Sequence, residues 1–150
     1  MRQATLLFLT KEDKILLAMK KRGYGENLWN GVGGKVNPDE DVIDAAKREC
    51  YEEISVSPLN MAKRAEIVFE SNNEEDRFNV TVYTCDKWDG EPIESEEMAP
   101  KWFNISEIPY HQMWSDDYYW LPEILAGKNF TAKFLFDDKG NIKDHSISHI

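Results

Sequence analysis

Apolar residues fall in short alternating blocks along most of the chain, with one stretch where the period lengthens from two to between three and four. Residues 4–9 and 14–19 are apolar runs on either side of Thr10-Lys11-Glu12-Asp13, which predicts a β-hairpin. Glycines at 23, 25, 31, 33 and 34 make the next segment too glycine-rich for regular structure, and they permit close approach of backbone to a ligand. Beyond Pro38 the spacing of Ile43, Ala46, Cys50 and Ile54 predicts a helix with those residues as its buried stripe, capped by Asp39 or Asp41. Residues 65–70 and 78–85 read as paired strands, with Phe78, Val80 and Val82 on one face of the second and Thr81, Tyr83 and Cys85 on the other. The polar, acidic residues 71–77 between them read as a solvated turn. A short helical segment near Ser106-Glu107, a helix around residues 121–126 ended by Gly127, and a hairpin of 130–136 with 142–147 complete the pattern. Strands on both sides of one strong helix predict a mixed α+β or α/β sandwich. A chain of 150 residues without internal repeats is the size of one domain, spanning residues 1–150.

A formal net charge of -10 argues against stable binding to nucleic acid or to an anionic membrane surface, since both need clustered Lys and Arg. An anionic substrate would require a recruited cation, which points toward a divalent metal. No window approaches the ~18 consecutive apolar residues of a membrane span, and the N-terminal apolar run lacks the features of a secretion signal, so a cytoplasmic location is expected. The two cysteines, Cys50 and Cys85, are far apart without metal-binding spacing, and read as buried small hydrophobes.

On the predicted helix Glu49, Glu52 and Glu53 stand at i, i+3 and i+4 and share one face. Anions near a helix C-terminus oppose the macrodipole by roughly 0.3–1 kcal/mol each, and they repel one another. A hard divalent cation such as Mg²⁺, which takes oxygen ligands, would reverse that balance. Taken alone, the cluster reads as a solvated acidic face, the default for a Glu-rich helix, ahead of a metal site. Its surroundings are more specific. Gly34, five residues, Glu40, seven residues, then Arg48-Glu49-Cys50-Tyr51-Glu52-Glu53-Ile54-Ser55-Val56 resemble the Nudix box, GX5EX7REUXEEXGU. Every charged position of the pattern is filled, and Ser55 replaces its last glycine. The resemblance implies the Nudix α/β/α sandwich with a mixed sheet. It also implies a loop-helix-loop that holds Mg²⁺, with Mn²⁺ able to substitute, on Glu49, Glu52, Glu53 and the backbone carbonyl of Gly33. In that pattern Arg48 orients the glutamates by salt bridges, Glu53 is the first choice of general base, and Glu97 in the acidic loop 94–97 is a further ligand or base. A left-handed Ser55 at the helix end would cost about 1 kcal/mol.

The resemblance continues outside the box. Met19-Lys20-Lys21-Arg22-Gly23-Tyr24-Gly25, Leu28-Trp29-Asn30-Gly31, Ile67-Val68-Phe69-Glu70, Glu94-Ser95-Glu96-Glu97-Met98, Pro100-Lys101-Trp102-Phe103 and Met113-Trp114-Ser115-Asp116-Asp117-Tyr118-Tyr119-Trp120 are similar to the branch of the family that hydrolyses oxidised purine nucleoside triphosphates. That similarity implies a nucleotide-sanitising pyrophosphohydrolase with 8-oxo-dGTP and 2-hydroxy-dATP as substrates. Asn30, Asp116 and Asp117 would read the base edge, Trp114, Phe69 and Phe78 would pack the purine, and Thr5 and Lys20 would complete the pocket. Two adjacent aspartates in a dry pocket cannot both ionise cheaply, so one would keep its proton. Read without the resemblance, Ser115-Asp116-Asp117 is a helix cap before it is a binding pair. Tyr24 and Phe78 depart from that branch and leave the base preference open. A monomer acting on a small-molecule nucleotide is expected. Two alternatives remain, a Nudix enzyme for dinucleoside polyphosphates or nucleotide sugars and a noncatalytic nucleotide-binding module. The segment from Trp114 to Trp120 argues against the first, and the intact Glu49, Glu52 and Glu53 against the second.

Overall fold

The first hairpin forms, but only its tip pairs as a hairpin. In the computed structural model, which describes residues 1–73 and 77–150, β1 (Arg2–Lys11) turns through Glu12 into β2 (Lys14–Lys20). Antiparallel pairing is confined to Thr10 with Ile15 and Lys11 with Lys14. Further back the glycine segment takes the edge that β2 leaves: Leu7 and Val32 exchange backbone hydrogen bonds of 2.7 and 3.1 Å, and the Thr5 N–H donates to the Gly34 carbonyl at 2.9 Å. Glycine is needed for this approach, because a Cβ on Gly33 would lie 1.9 Å from the carbonyl oxygen of Thr5. The other edge of β1 runs parallel to β6 (Phe78–Cys85) over residues 2–9.

The remaining elements are β3 (Trp29–Asn30), α1 (Val42–Ile54), β4 (Ser57–Pro58), β5 (Ala62–Glu70), β7 (Trp88–Asp89), β8 (Met98–Asn104), α2 (Asp117–Leu125), β9 (Phe130–Phe136) and β10 (Ile142–His149), with a 3-10 turn at Ile105–Glu107. The large sheet has the order β10-β9-β5-β6-β1-β2-β3, with β8 also paired to β2, while β4 pairs with β7. β5 and β6 pair antiparallel as expected, and β9 lies parallel to β5. Of the expected polar turn 71–77, residues 74–76 lie outside the described residues.

Alternation along the strands sorts the core into two layers. Phe8, Ile67, Val80, Val82 and Phe134 pack with Trp120, Leu121 and Ile124 of α2 on one face. Leu7, Leu9, Tyr83 and Cys85 pack with Ala46, Cys50 and Ile54 of α1 on the other. The result is the expected α/β/α sandwich with a mixed sheet. Full burial of one such side chain contributes about 1.5–3 kcal/mol, so a one-residue slip of β6 would exchange its two apolar sets and is strongly disfavoured. No helix among the described residues is long and apolar enough to cross a membrane.

Three expectations are corrected. Ile43 is exposed; the stripe of α1 keeps Ala46, Cys50 and Ile54 but begins at Val42, one residue and about 100° round the helix from Ile43. Asp41 stands at the start of α1 but makes no side-chain cap bond. Residues 98–104 form a full strand that the pattern did not announce, Pro100 interrupting it. Finally, α2 begins at Asp117 rather than near residue 121, and Asp116 makes no side-chain cap bond to it.

Ser55 ends α1 in the left-handed conformation, with φ 62° and ψ 31°, and its N–H donates to the Tyr51 carbonyl at 2.9 Å. Only glycine takes this conformation without a steric cost. Ser55→Gly should therefore raise stability by about 0.5–1 kcal/mol after allowing for the extra freedom glycine gives the unfolded chain. Thermal melts of the two proteins would check this, and an unchanged or lower midpoint would refute it.

Candidate active site

The close seating of the glycine segment on β1 brings it under α1. The Gly33 N–H donates to Oε1 of Glu53 at 2.8 Å, and a Cβ on Gly34 would lie 2.6 Å from Cδ of Glu49. Two helix carboxylates thus rest on a loop that has no side chains to displace them. Arg48 grips the chain just beyond the same segment. Its Nε and Nη2 donate to the two oxygens of Glu40 at 2.8 and 3.0 Å, and Nη2 also reaches the Lys35 carbonyl at 3.1 Å. Its Nη1 donates to Glu49 at 2.8 Å and to Glu52 at 3.2 Å. One guanidinium therefore orients two of the expected ligands and ties them to Glu40, whose own pKa it lowers by hydrogen bonding.

Glu53 is buried, and burial pushes its carboxyl up to about 7, with the negative charges of Glu49 and Glu97 adding to the rise while the Gly33 N–H and Lys20 oppose it. Glu49 is raised as well, chiefly by burial, despite its bond to Arg48. Acidic groups held at this desolvation cost, with only oxygen donors between them, form a set that suits a hard divalent cation. Among the described residues, no three His, Cys, Asp or Glu side chains converge closely enough to hold an ion by themselves. Glu49 and Glu52 bond to Arg48, and Glu97 bonds to Arg22 at 2.6 Å.

The second half of the site lies around the start of α2. The buried stripe of that helix is Asp117, Trp120, Leu121 and Ile124, so a carboxyl occupies the first apolar position of an i, i+3, i+4, i+7 pattern. Asp116, also buried, accepts the indole N–H of Trp120 on Oδ2 at 2.7 Å. Oδ2 of Asp117 is buried without a hydrogen-bond partner among the described residues. Burial raises both acids. Asp117 stands well above its ordinary value because the charge of Asp116 and a hydrogen bond between the two carboxyls add to burial. Of the two, Asp117 is the one more strongly driven to keep its proton, while Asp116 is held toward the charged form by the Trp120 indole N–H.

Trp114 is half-buried, its ring 5.1 Å from that of Tyr24, over Gly25, where a Cβ would be 3.3 Å from the indole. Phe69 and Phe78 face one another across β5 and β6. Phe69 stacks on Phe134 at 5.8 Å, and the Arg2 guanidinium sits 5.5 Å above Phe78. Asn30 lies on β3, and its Oδ1 accepts the Gly31 N–H at 2.8 Å, which leaves its amide NH₂ as donor. Lys20 ends β2 opposite Met98.

Phe69 and Phe78 pack against the same core face as Trp120 of α2, and Trp114, Asp116 and Asp117 are neighbours in the chain. Thr5 is on the other face of β1, where its hydroxyl lies 3.5 Å from the N and O of Gly34. The loop from Lys21 to Leu28 joins the two halves of the site, touching Trp114 through Gly25 and Glu97 through Arg22. Sequence reasoning missed two partners. Trp120 is the donor to Asp116, and its i, i+4 spacing was the available signal. Arg22 is bonded to Glu97, a pairing between residues 75 apart in the chain that no local pattern announces.

A mixed sheet between two helices, with a glycine loop feeding a carboxylate-bearing helix organised by one arginine, defines a class. The NUDIX domain family matches residues 1–124, and the chain belongs to it. Across 146 residues the chain is 40% identical to the oxidized purine nucleoside triphosphate hydrolase of Danio rerio, an alignment covering 97% of this chain and 94% of that one. The protein of the same name from Mus musculus is similar to the same extent, 40% over 146 residues. The crystal structure of the MutT protein from Bacillus halodurans superimposes with a TM-score of 0.88 over 99% of this chain and 98% of that one, at 18% identity, a likeness of fold. Members of this family generally require a divalent metal.

Proposed function

We propose that this protein hydrolyses oxidised purine nucleoside triphosphates, including 8-oxo-dGTP and 2-hydroxy-dATP, with water to the nucleoside monophosphate and pyrophosphate, and so cleanses the nucleotide pool. The observation that carries this reading is the buried Asp116–Asp117 pair with Oδ2 of Asp117 unpartnered. A proton-sharing pair offers a donor and an acceptor to a purine edge. The two vertebrate relatives carry the same substrate in their names.

In this reading Asn30, Asp116 and Asp117 bind the base edge, Trp114, Phe69 and Phe78 pack its faces, Lys20 meets the phosphates, and Thr5 supports the pocket through Gly34. Glu49, Glu52, Glu53, Glu97 and the Gly33 carbonyl would hold Mg²⁺, or Mn²⁺ in its place. When bound, the cation supplies positive charge to the phosphate oxygens and makes water more acidic. Arg48 keeps Glu49 and Glu52 aimed at that point. Glu53 in its carboxylate form would accept the proton of the attacking water. The net charge of -10 supports a protein that does not hold nucleic acid, and the reading places it in the cytoplasm as a monomer.

Pyrophosphate release from 8-oxo-dGTP, 2-hydroxy-dATP, dGTP and a dinucleoside polyphosphate, with Mg²⁺ and with EDTA, tests the reading. Preference for the oxidised purines, abolished by EDTA, is expected. Equal or faster turnover of dGTP or of the dinucleotide would overturn the substrate class, and binding without turnover would reduce the protein to a nucleotide-binding module.

A further inference from the structure

The acidic loop 94–97 is clamped at both ends by the basic residues that follow β2. Lys21 donates through Nζ to Oε2 of Glu94 at 2.6 Å and to the Ser95 carbonyl at 2.9 Å. The Lys21 N–H donates to the Glu97 carbonyl at 2.8 Å. On the α1 side the Ile93 N–H donates to the carbonyl of Ile54, the residue after Glu53, at 3.0 Å. The loop therefore spans from the end of the carboxylate helix to the end of β2, and Glu97 stands at its junction with β8.

Arg22 finishes the arrangement. Its Nε and Nη2 donate to the same oxygen, Oε1 of Glu97, at 2.9 and 2.6 Å. A longer contact of 3.5 Å joins Nη2 to Glu96. A bidentate Arg–carboxylate pair normally engages both oxygens. Here both donors converge on one oxygen, and no bond to Oε2 is formed among the described residues. The carboxylate is fixed in orientation while one of its oxygens is left for another partner. An exposed ion pair contributes little to stability, so stability alone gives little account of five contacts to this loop from two adjacent side chains.

We propose that Arg22 is a positioning residue that presents the free oxygen of Glu97 to the divalent cation held by the α1 carboxylates. The proposal rests on the reading of Glu97 as a ligand and adds the group that aims it. Arg22 does for Glu97 what Arg48 does for Glu49 and Glu52, from the opposite side of the site. Partners that orient metal ligands typically change metal affinity about 10–100-fold when removed.

The test is Mn²⁺ binding to the nucleotide-free protein, followed by the electron paramagnetic resonance of free Mn²⁺, in wild type, Arg22→Ala, Arg22→Lys, Glu97→Gln and the double variant Arg22→Ala/Glu97→Gln. Circular dichroism and thermal melts of each establish that the fold is kept. Arg22→Ala should weaken Mn²⁺ binding about tenfold or more, Arg22→Lys should recover part of the loss, and the double variant should bind no more weakly than Glu97→Gln. That non-additivity is the signature of one residue acting through the other. Unchanged binding in Arg22→Ala together with weakened binding in Glu97→Gln would overturn the positioning role and leave Glu97 as a ligand. Tighter binding in Arg22→Ala would also overturn it, since Arg22 would then act only by repelling the cation. Unchanged binding in Glu97→Gln would overturn both readings.

Discussion

Glu53→Gln is expected to lower pyrophosphate release by about 10²–10⁴-fold, the range for a positioned general base, and at the same time to make the metal-free protein more stable. The substitution keeps shape, and its amide oxygen can still accept the Gly33 N–H that now bonds to Oε1 at 2.8 Å. What it removes is the charge. In wild type, burial raises the folded-state carboxyl to about 7 from its ordinary value of 4.5. The folded state therefore keeps a proton that the unfolded state has lost, and stability falls as pH rises from about 4.5 toward 7, then levels off. Gln carries no such dependence. Its advantage should be absent below the ordinary carboxylate range, grow through that window, and reach at most about 3 kcal/mol at pH 8. Mg²⁺ should cancel or reverse the difference, because a ligand that binds only the folded wild type stabilises it. Urea titrations in EDTA at pH 4 and pH 8, beside the activity assay, check both halves. Lower activity with lower stability at pH 8 would make Glu53 a structural residue.

The same contrast between charge and shape shows how far the chain could be read without coordinates. Period-two alternation in residues 78–85 and the period of α1 reflect burial of one face at a time, and those elements appear where the pattern puts them. The charged positions of the box were equally legible, and Arg48 does bridge Glu49 and Glu52. Elements stabilised by distant partners were not. β3, β4 and β7 have two residues each and exist only through pairing. The parallel alignments of β1 with β6 and of β5 with β9 join segments far apart in the chain, and local spacing carries no trace of them. At the site, consecutive aspartates after Ser115 look like a cap because capping is the common use of Asp before a helix. Only the position of Asp117 on the stripe with Trp120, Leu121 and Ile124 shows that this carboxyl faces inward.

That inward position makes Asp117 the sharper probe of base recognition. Asp117→Asn should lower kcat/KM for 8-oxo-dGTP by about 10–100-fold, the effect of leaving a buried hydrogen-bonding group of the base mismatched, which costs about 1–3 kcal/mol. Asp116→Asn should differ from it, because Asp116 already accepts the Trp120 indole N–H at 2.7 Å and an amide there exchanges an anionic acceptor for a neutral group. If the two carboxyls share one proton, the substitutions should also divide the substrates, one variant losing more toward 8-oxo-dGTP and the other toward 2-hydroxy-dATP. Burial and the charge of Asp116 hold Asp117 protonated well above the ordinary carboxylate range, so the wild-type kcat/KM should fall as pH rises through that raised value and both acids ionise. In Asp117→Asn the proton that is lost no longer exists, and this alkaline decline should disappear even though the rate is lower throughout. Stability should follow with the opposite sign: the variant gains over wild type as pH rises above about 3.9, the ordinary aspartate value. Matching pH profiles and equal losses on both substrates in the two variants would mean that the pair serves the packing of α2, and that the base is read elsewhere.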